Sequence, residues 1–139
     1  MKKLTNTSGF TLLEIIIVII IVGVLASLAL PRFFATVEFS RSTEAFSSLT
    51  AIRGALERCY LQKSGTYSGC DDFDDLDIDD PALAPNSHFS YSIQSTSDTG
   101  YQIRATRNST DGGTTDSYIQ VDQTSTLVTR SGSGAFENI

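Results

Sequence analysis

Histidine occurs once in this chain of 139 residues, cysteine twice and tryptophan never. Catalytic and metal centres draw on several His, Cys or acidic groups in a fixed arrangement. So sparse a supply makes an enzyme a poor reading. No Gly-x-Ser-x-Gly stretch is present, and no His–Asp pair is spaced to activate one of the many serines. Basic residues are short as well: ten Lys and Arg face sixteen Asp and Glu, a formal charge of −6. A nucleic-acid-binding chain would carry the opposite balance. Charge is missing altogether from Ile15 to Pro31.

That uncharged stretch is nearly all apolar, whereas the chain from Ser40 onward is rich in Ser, Thr, Asp and Gly. As a helix, Phe10 to Leu30 would be about 32 Å long at ~1.5 Å per residue, enough to cross a bilayer core. Three readings compete. A secretory signal could be cut near Ser27-Leu28-Ala29, but the run is long and Glu14 stands at its front. A plain membrane anchor explains the length but leaves Glu14 as an unpaired carboxylate in lipid. A cut between Gly9 and Phe10 solves this. It removes Lys2 and Lys3 and places a new amine on Phe10 at the depth of Glu14, and a buried carboxylate needs such a partner.

Lys2-Lys3, then Gly9-Phe10-Thr11-Leu12-Leu13-Glu14, then an apolar run holding Gly23 and Pro31, resembles the class III signal of type IV pilins and type II secretion pseudopilins. The resemblance covers residues 1–35, and Gly, Phe, Glu and Pro all fall at the family's spacing. It implies that a prepilin peptidase cuts after Gly9 and methylates the Phe10 amine. It implies a leader over 1–9, a membrane and filament-core helix over 10–31 and a soluble pilin domain over 32–139. Phe10 and Glu14 would set the register between subunits, and Gly23 and Pro31 would kink the helix. The subunit would cross the inner membrane once and then enter an extracellular pilus or a periplasm-spanning pseudopilus. Its partners would be further copies in a helical homopolymer, the peptidase, an assembly platform protein, a cytoplasmic ATPase and minor pilins or pseudopilins.

The rest of the chain reads as α+β. Phe46, Leu49, Ile52, Leu56 and Cys59 recur every three or four residues, with Ala45, Ala55 and Tyr60 beside them. One helix is expected from Phe10 to Gln62, ended by Ser64-Gly65. Residues 63–87 read as a loop anchored by Tyr67, Phe73, Leu76, Ile78 and Leu83. After His88 the period is two: Phe89, Tyr91 and Ile93; Tyr101, Ile103 and Ala105; Ile119 and Val121; and a short run at Leu127-Val128. About four antiparallel strands with one buried face follow from that alternation. The amphipathic half of the helix would cover this face in a pilin-like fold. Residues 131–139 read as a loose tail.

Cys59 and Cys70 can pair once the domain is exported, and a bond between them is expected. Asp71, Asp72, Asp74, Asp75, Asp77, Asp79 and Asp80 crowd ten positions. Asp71 to Asp77 are the candidate Ca²⁺ ligands, since hard cations take several carboxylate oxygens. Asp75 to Asp79 begins like a calcium loop. Asp80 then stands where Gly is needed, and Asn86 where the closing Glu belongs. The acids also precede the strands, whereas the resemblance to major pseudopilins implies calcium in a later loop. A solvated acidic loop with no metal and no cofactor is therefore expected. His88 reads as a strand-edge surface residue and Asn108-Ser109-Thr110 as part of a hairpin loop. The expected function is a structural subunit of a type IV pilus-like filament serving adhesion, twitching motility or DNA uptake. A major pseudopilin of a type II secretion system is the alternative within the family. A membrane-anchored binding module that never polymerises is the alternative outside it.

Overall fold

The computed structural model describes residues 9–139. Lys2 and Lys3 of the expected leader lie outside the described residues. One long helix, α1 (Leu12–Gln62), is followed by four strands: β1 (Phe89–Thr96), β2 (Tyr101–Arg107), β3 (Tyr118–Gln123) and β4 (Val128–Ser133). The chain divides into two compact units after Thr36. The first holds the apolar half of α1. The second holds the amphipathic half and the sheet.

α1 begins where Thr11 caps it. The Thr11 hydroxyl accepts from the Glu14 amide at 3.2 Å, and the Glu14 carboxylate accepts from the Thr11 amide at 2.8 Å. Two amides that the helix start leaves without partners are thereby satisfied. The helix ends on Ser64 in the left-handed region (φ 64°), with the Gly65 amide donating to the Tyr60 carbonyl at 2.9 Å. Between these ends it is unbroken. Gly23 and Pro31, where a kink is expected, both lie in continuous helix.

The second unit follows from two matched periods. Ala45, Leu49, Ile52, Ala55, Leu56 and Cys59 are buried on one helical stripe. Phe89, Tyr91, Tyr101, Ile103, Ala105, Ile119 and Val121 are buried on alternate strand positions. Together they form a single core. The strands pair in the order β1-β2-β3-β4, all antiparallel, with Ile103 opposite Ile93 on one side and Val121 on the other. The architecture is thus α+β and pilin-like, as the alternation implies.

The connecting loop folds back through Tyr67 and Leu76, which are buried, and Phe73 and Ile78, which are partly so. Leu83 is exposed instead, because Pro81 starts a short turn that carries it outward. The disulfide joins Cys59 at the end of α1 to Cys70 in this loop.

The expected loose tail is a correction. β4 runs to Ser133, and Phe136 is fully buried against the Phe89 ring, 5.7 Å between centroids. Gly132 makes this possible, because a Cβ there would collide with the Phe136 carbonyl. The glycines and serines of the segment are thus the requirements of a tight return and not the mark of a linker.

Candidate assembly site

The first unit presents an apolar surface. From Ile15 to Leu30 the large aliphatic side chains are 40% to 69% exposed, and this part of α1 is long and apolar enough to cross a membrane. A helix that is hydrophobic on every side belongs inside something. At its front, the Glu14 carboxylate also accepts the Thr11 hydroxyl at 2.8 Å. Phe10 is 83% exposed, and Gly9 before it is exposed and has open space around its Cα. The scissile pair proposed from the sequence is therefore accessible. The structure brings Glu14 onto Thr11 and not onto Phe10. The capping signature Thr11-Leu12-Leu13-Glu14 is legible in the sequence, and it shows that Glu14 has a local partner in the uncut chain.

The second unit carries a charge cluster that sequence reasoning missed. Arg107, on β2, is fully buried. Its guanidinium donates to both Glu38 oxygens, at 3.1 and 3.3 Å, and to the carbonyls of His88 and Asn108, both at 3.1 Å. Glu38 also takes Arg41 at 2.6 Å, and Arg41 reaches the Asp111 carbonyl at 3.3 Å. Burial pushes the Glu38 carboxyl up, but the hydrogen bonds and charges of Arg107 and Arg41 outweigh that and hold it below the ordinary value. Gly113 packs on the Arg107 side chain so closely that no Cβ would fit. His88 is not a bare strand-edge residue: its amide and its Nδ1 meet Glu44 at 2.9 and 2.8 Å. The signal was available, since Arg107 continues the inward parity of Tyr101, Ile103 and Ala105. A charge at such a position requires a buried partner.

The acidic loop is held by its own backbone. Asp72 caps the turn Phe73–Asp75, and Asp80 caps the turn Pro81–Leu83. Asp77 makes a two-pronged pair with Arg58 at 2.6 and 2.7 Å, which holds its carboxyl below the ordinary value. Among the described residues no group of three or more His, Cys, Asp or Glu is placed to hold a metal ion. The candidate ligands Asp71, Asp72, Asp74, Asp75 and Asp77 lie along one loop, and Asp72, Asp74 and Asp77 line a common open cavity with Asp79 and Asp80. Asn108-Ser109-Thr110 does fall in the β2–β3 connection.

Comparisons with known proteins agree with this division. A family profile described as "Prokaryotic N-terminal methylation motif" matches residues 4–30. A second, described as "Type IV minor pilin ComP, DNA uptake sequence receptor", matches residues 31–117. Curated relatives include a type II secretion system core protein G of Vibrio cholerae serotype O1, 36% identical over 64 residues, which are 46% of this chain and 44% of that protein. Fimbrial protein EcpC of Eikenella corrodens is 44% identical over 55 residues, 40% of this chain and 36% of its own. Type IV major fimbrial protein FimA of Dichelobacter nodosus is 38% identical over 61 residues, 44% and 38% of the two chains. The chain therefore spans half or less of the length of these relatives. No solved structure matches. With a methylation motif on the exposed apolar helix and a pilin profile over most of the α+β unit, this chain belongs to the type IV pilin family described as "Type IV minor pilin ComP, DNA uptake sequence receptor".

Proposed function

We propose that this chain is a structural subunit of a type IV pilus-like filament, cut between Gly9 and Phe10, methylated on Phe10 and polymerised through α1. The observation that carries the reading is the apolar half of α1, exposed on all sides from Ile15 to Leu30. Lipid covers such a helix before assembly, and neighbouring helices cover it afterwards. The Glu14 carboxylate is the one charge at its front. In the uncut chain Thr11 satisfies it. In the low-dielectric core of a filament, the free amine of a neighbour's Phe10 would attract it strongly, and a subunit out of register would leave both charges unpaired. Local melting of α1 between Gly23 and Pro31 belongs to this assembled state. Pro31 supplies no N–H to the helix, so stretching the segment there forfeits less hydrogen bonding. Inner-membrane residence before assembly and an extracellular or periplasm-spanning position afterwards follow. So do the prepilin peptidase, platform protein and minor subunits as partners.

The test is mass spectrometry of sheared fibres. The reading expects this chain in them, beginning at methylated Phe10. Recovery of chains that begin near Leu30 would defeat it.

A second reading is a minor pilin that binds DNA. The profile over residues 31–117, whose description names a DNA uptake sequence receptor, favours it. The acidic balance opposes non-specific binding, so any affinity would be local and sequence-selective. Titration of fibres with duplex DNA at two salt concentrations separates the readings: selective binding supports this one, and none at low salt rejects it.

A further inference from the structure

We propose that successive copies are joined laterally, an acidic loop at one sheet edge of one copy docking in a cationic groove at the opposite edge of the next. The proposal rests on the filament reading above. The loop between α1 and β1 lies along the β1 edge, where Asp71 accepts from Thr96 and the turn Pro81–Leu83 packs on β1. Asp71, Asp72, Asp77 and Asp80 are occupied by the contacts already described. Asp74, Asp75 and Asp79 are exposed and have no side-chain partner among the described residues. They stand unrelieved beside like charges, which is unfavourable.

The complement lies at the other edge. Arg53 of α1 and Arg130 of β4 flank a groove lined by Phe46, Leu49 and Val128. The Arg130 guanidinium sits 5.6 Å from the centre of the Phe46 ring. Neither arginine has a carboxylate partner among the described residues, although acids outnumber bases in the chain. The groove is about 30 Å³, room for about two waters. That is enough to seat a carboxylate.

β1 and β4 are the outer strands of the sheet. The acids at one edge therefore do not meet the arginines at the other within one copy. Complementary patches on opposite edges make a head-to-tail contact, which leaves each new copy with one patch free and so propagates. Exposed pairs of this kind add little affinity singly, but they fix orientation and reject misplaced neighbours.

Carbodiimide joins amines to carboxylates at contact distance and provides the test. Fibres of the Arg130→Lys variant should yield a crosslink from position 130 to the peptide holding Asp74, Asp75 and Asp79, absent from membrane-fraction subunits. Arg53→Glu with Arg130→Glu should lower fibre yield about tenfold or more. Adding Asp74→Lys and Asp75→Lys to that variant should restore it, which excludes misfolding as the cause. Fibres that lack this crosslink, or a doubly reversed variant at wild-type yield, overturn the proposal. So does loss of DNA binding with fibre yield intact. If Glu14→Val blocks fibres while the doubly reversed variant does not, the filament reading stands and this inference alone fails.

Discussion

Glu38→Gln isolates the buried cluster. The variant keeps the shape of the side chain and removes the carboxylate from beneath a guanidinium that is fully buried. Arg107 would retain the two carbonyls of His88 and Asn108 but no counter-charge. Breaking one side of a buried pair costs about 3–5 kcal/mol. Glu38 is 22% exposed, so water replaces part of what is lost, and the lower end, about 3 kcal/mol, applies. For a unit of roughly 100 residues this lowers the melting temperature by about 12–20 °C. Thermal unfolding of the detergent-held chain followed by circular dichroism reads the shift. The pH dependence follows from the same pair. The Glu38 carboxyl is held below its ordinary value, so the unfolded chain binds its proton more readily than the folded one. The stabilisation is therefore present above the unfolded value and is lost as pH falls through the folded one. Glu38→Gln should lack that portion of the acid-side decline. Glu38→Gln with Arg107→Met should be more stable than Glu38→Gln alone, since no unpaired charge stays buried. A melting temperature for Glu38→Gln within about 2 °C of wild type would refute the reasoning, because surface changes have effects that small.

Other consequences concern the loop and the tail. Cys70→Ser opens the Cys59–Cys70 bond and should cost up to roughly 3 kcal/mol, read by denaturant unfolding under non-reducing conditions. Wild-type protein should resist alkylation at both positions, and labelling of both would contradict the bond. Phe136→Ala should cost about 3–5 kcal/mol as a cavity in the core, whereas a loose tail would tolerate it. A calcium chelator should leave the melting temperature nearly unchanged, and a drop of ten degrees would show that the aspartates hold a cation after all.

Legibility differed from element to element for physical reasons. The helical stripe from Ala45 to Cys59 and the alternation in β1, β2 and β3 were readable because each repeats a period that a buried face imposes. The tail differs from the expectation because Gly132 and Gly134 carry two meanings in a sequence. They permit disorder, and they also permit the close approach that buries Phe136. Arg107 has inward parity, but its role is not legible from the sequence because its partner Glu38 lies 69 positions away. At the front of α1, Gly9, Phe10 and Glu14 carry the expected cut site, and Thr11 and Glu14 also form the helix cap, which the spacing Thr11-Leu12-Leu13-Glu14 makes legible. Composition also exposed the acidic loop, but which aspartates were free required the positions of Arg58 and Thr96.

The central claim is that the carboxylate at the front of an exposed apolar helix controls entry into a filament. Glu14→Val makes the segment more apolar, so the variant should be inserted and cut at Gly9 as before. Each subunit that enters would otherwise leave a neighbour's amine unpaired in a low-dielectric core, a penalty of several kcal/mol. The measurement is the ratio of processed subunit in sheared fibres to processed subunit in the membrane fraction. The account predicts that Glu14→Val accumulates in the membrane and reaches fibres only alongside wild-type subunits. Glu14→Val building fibres alone at wild-type yield would contradict it and leave α1 as an anchor without an assembly role.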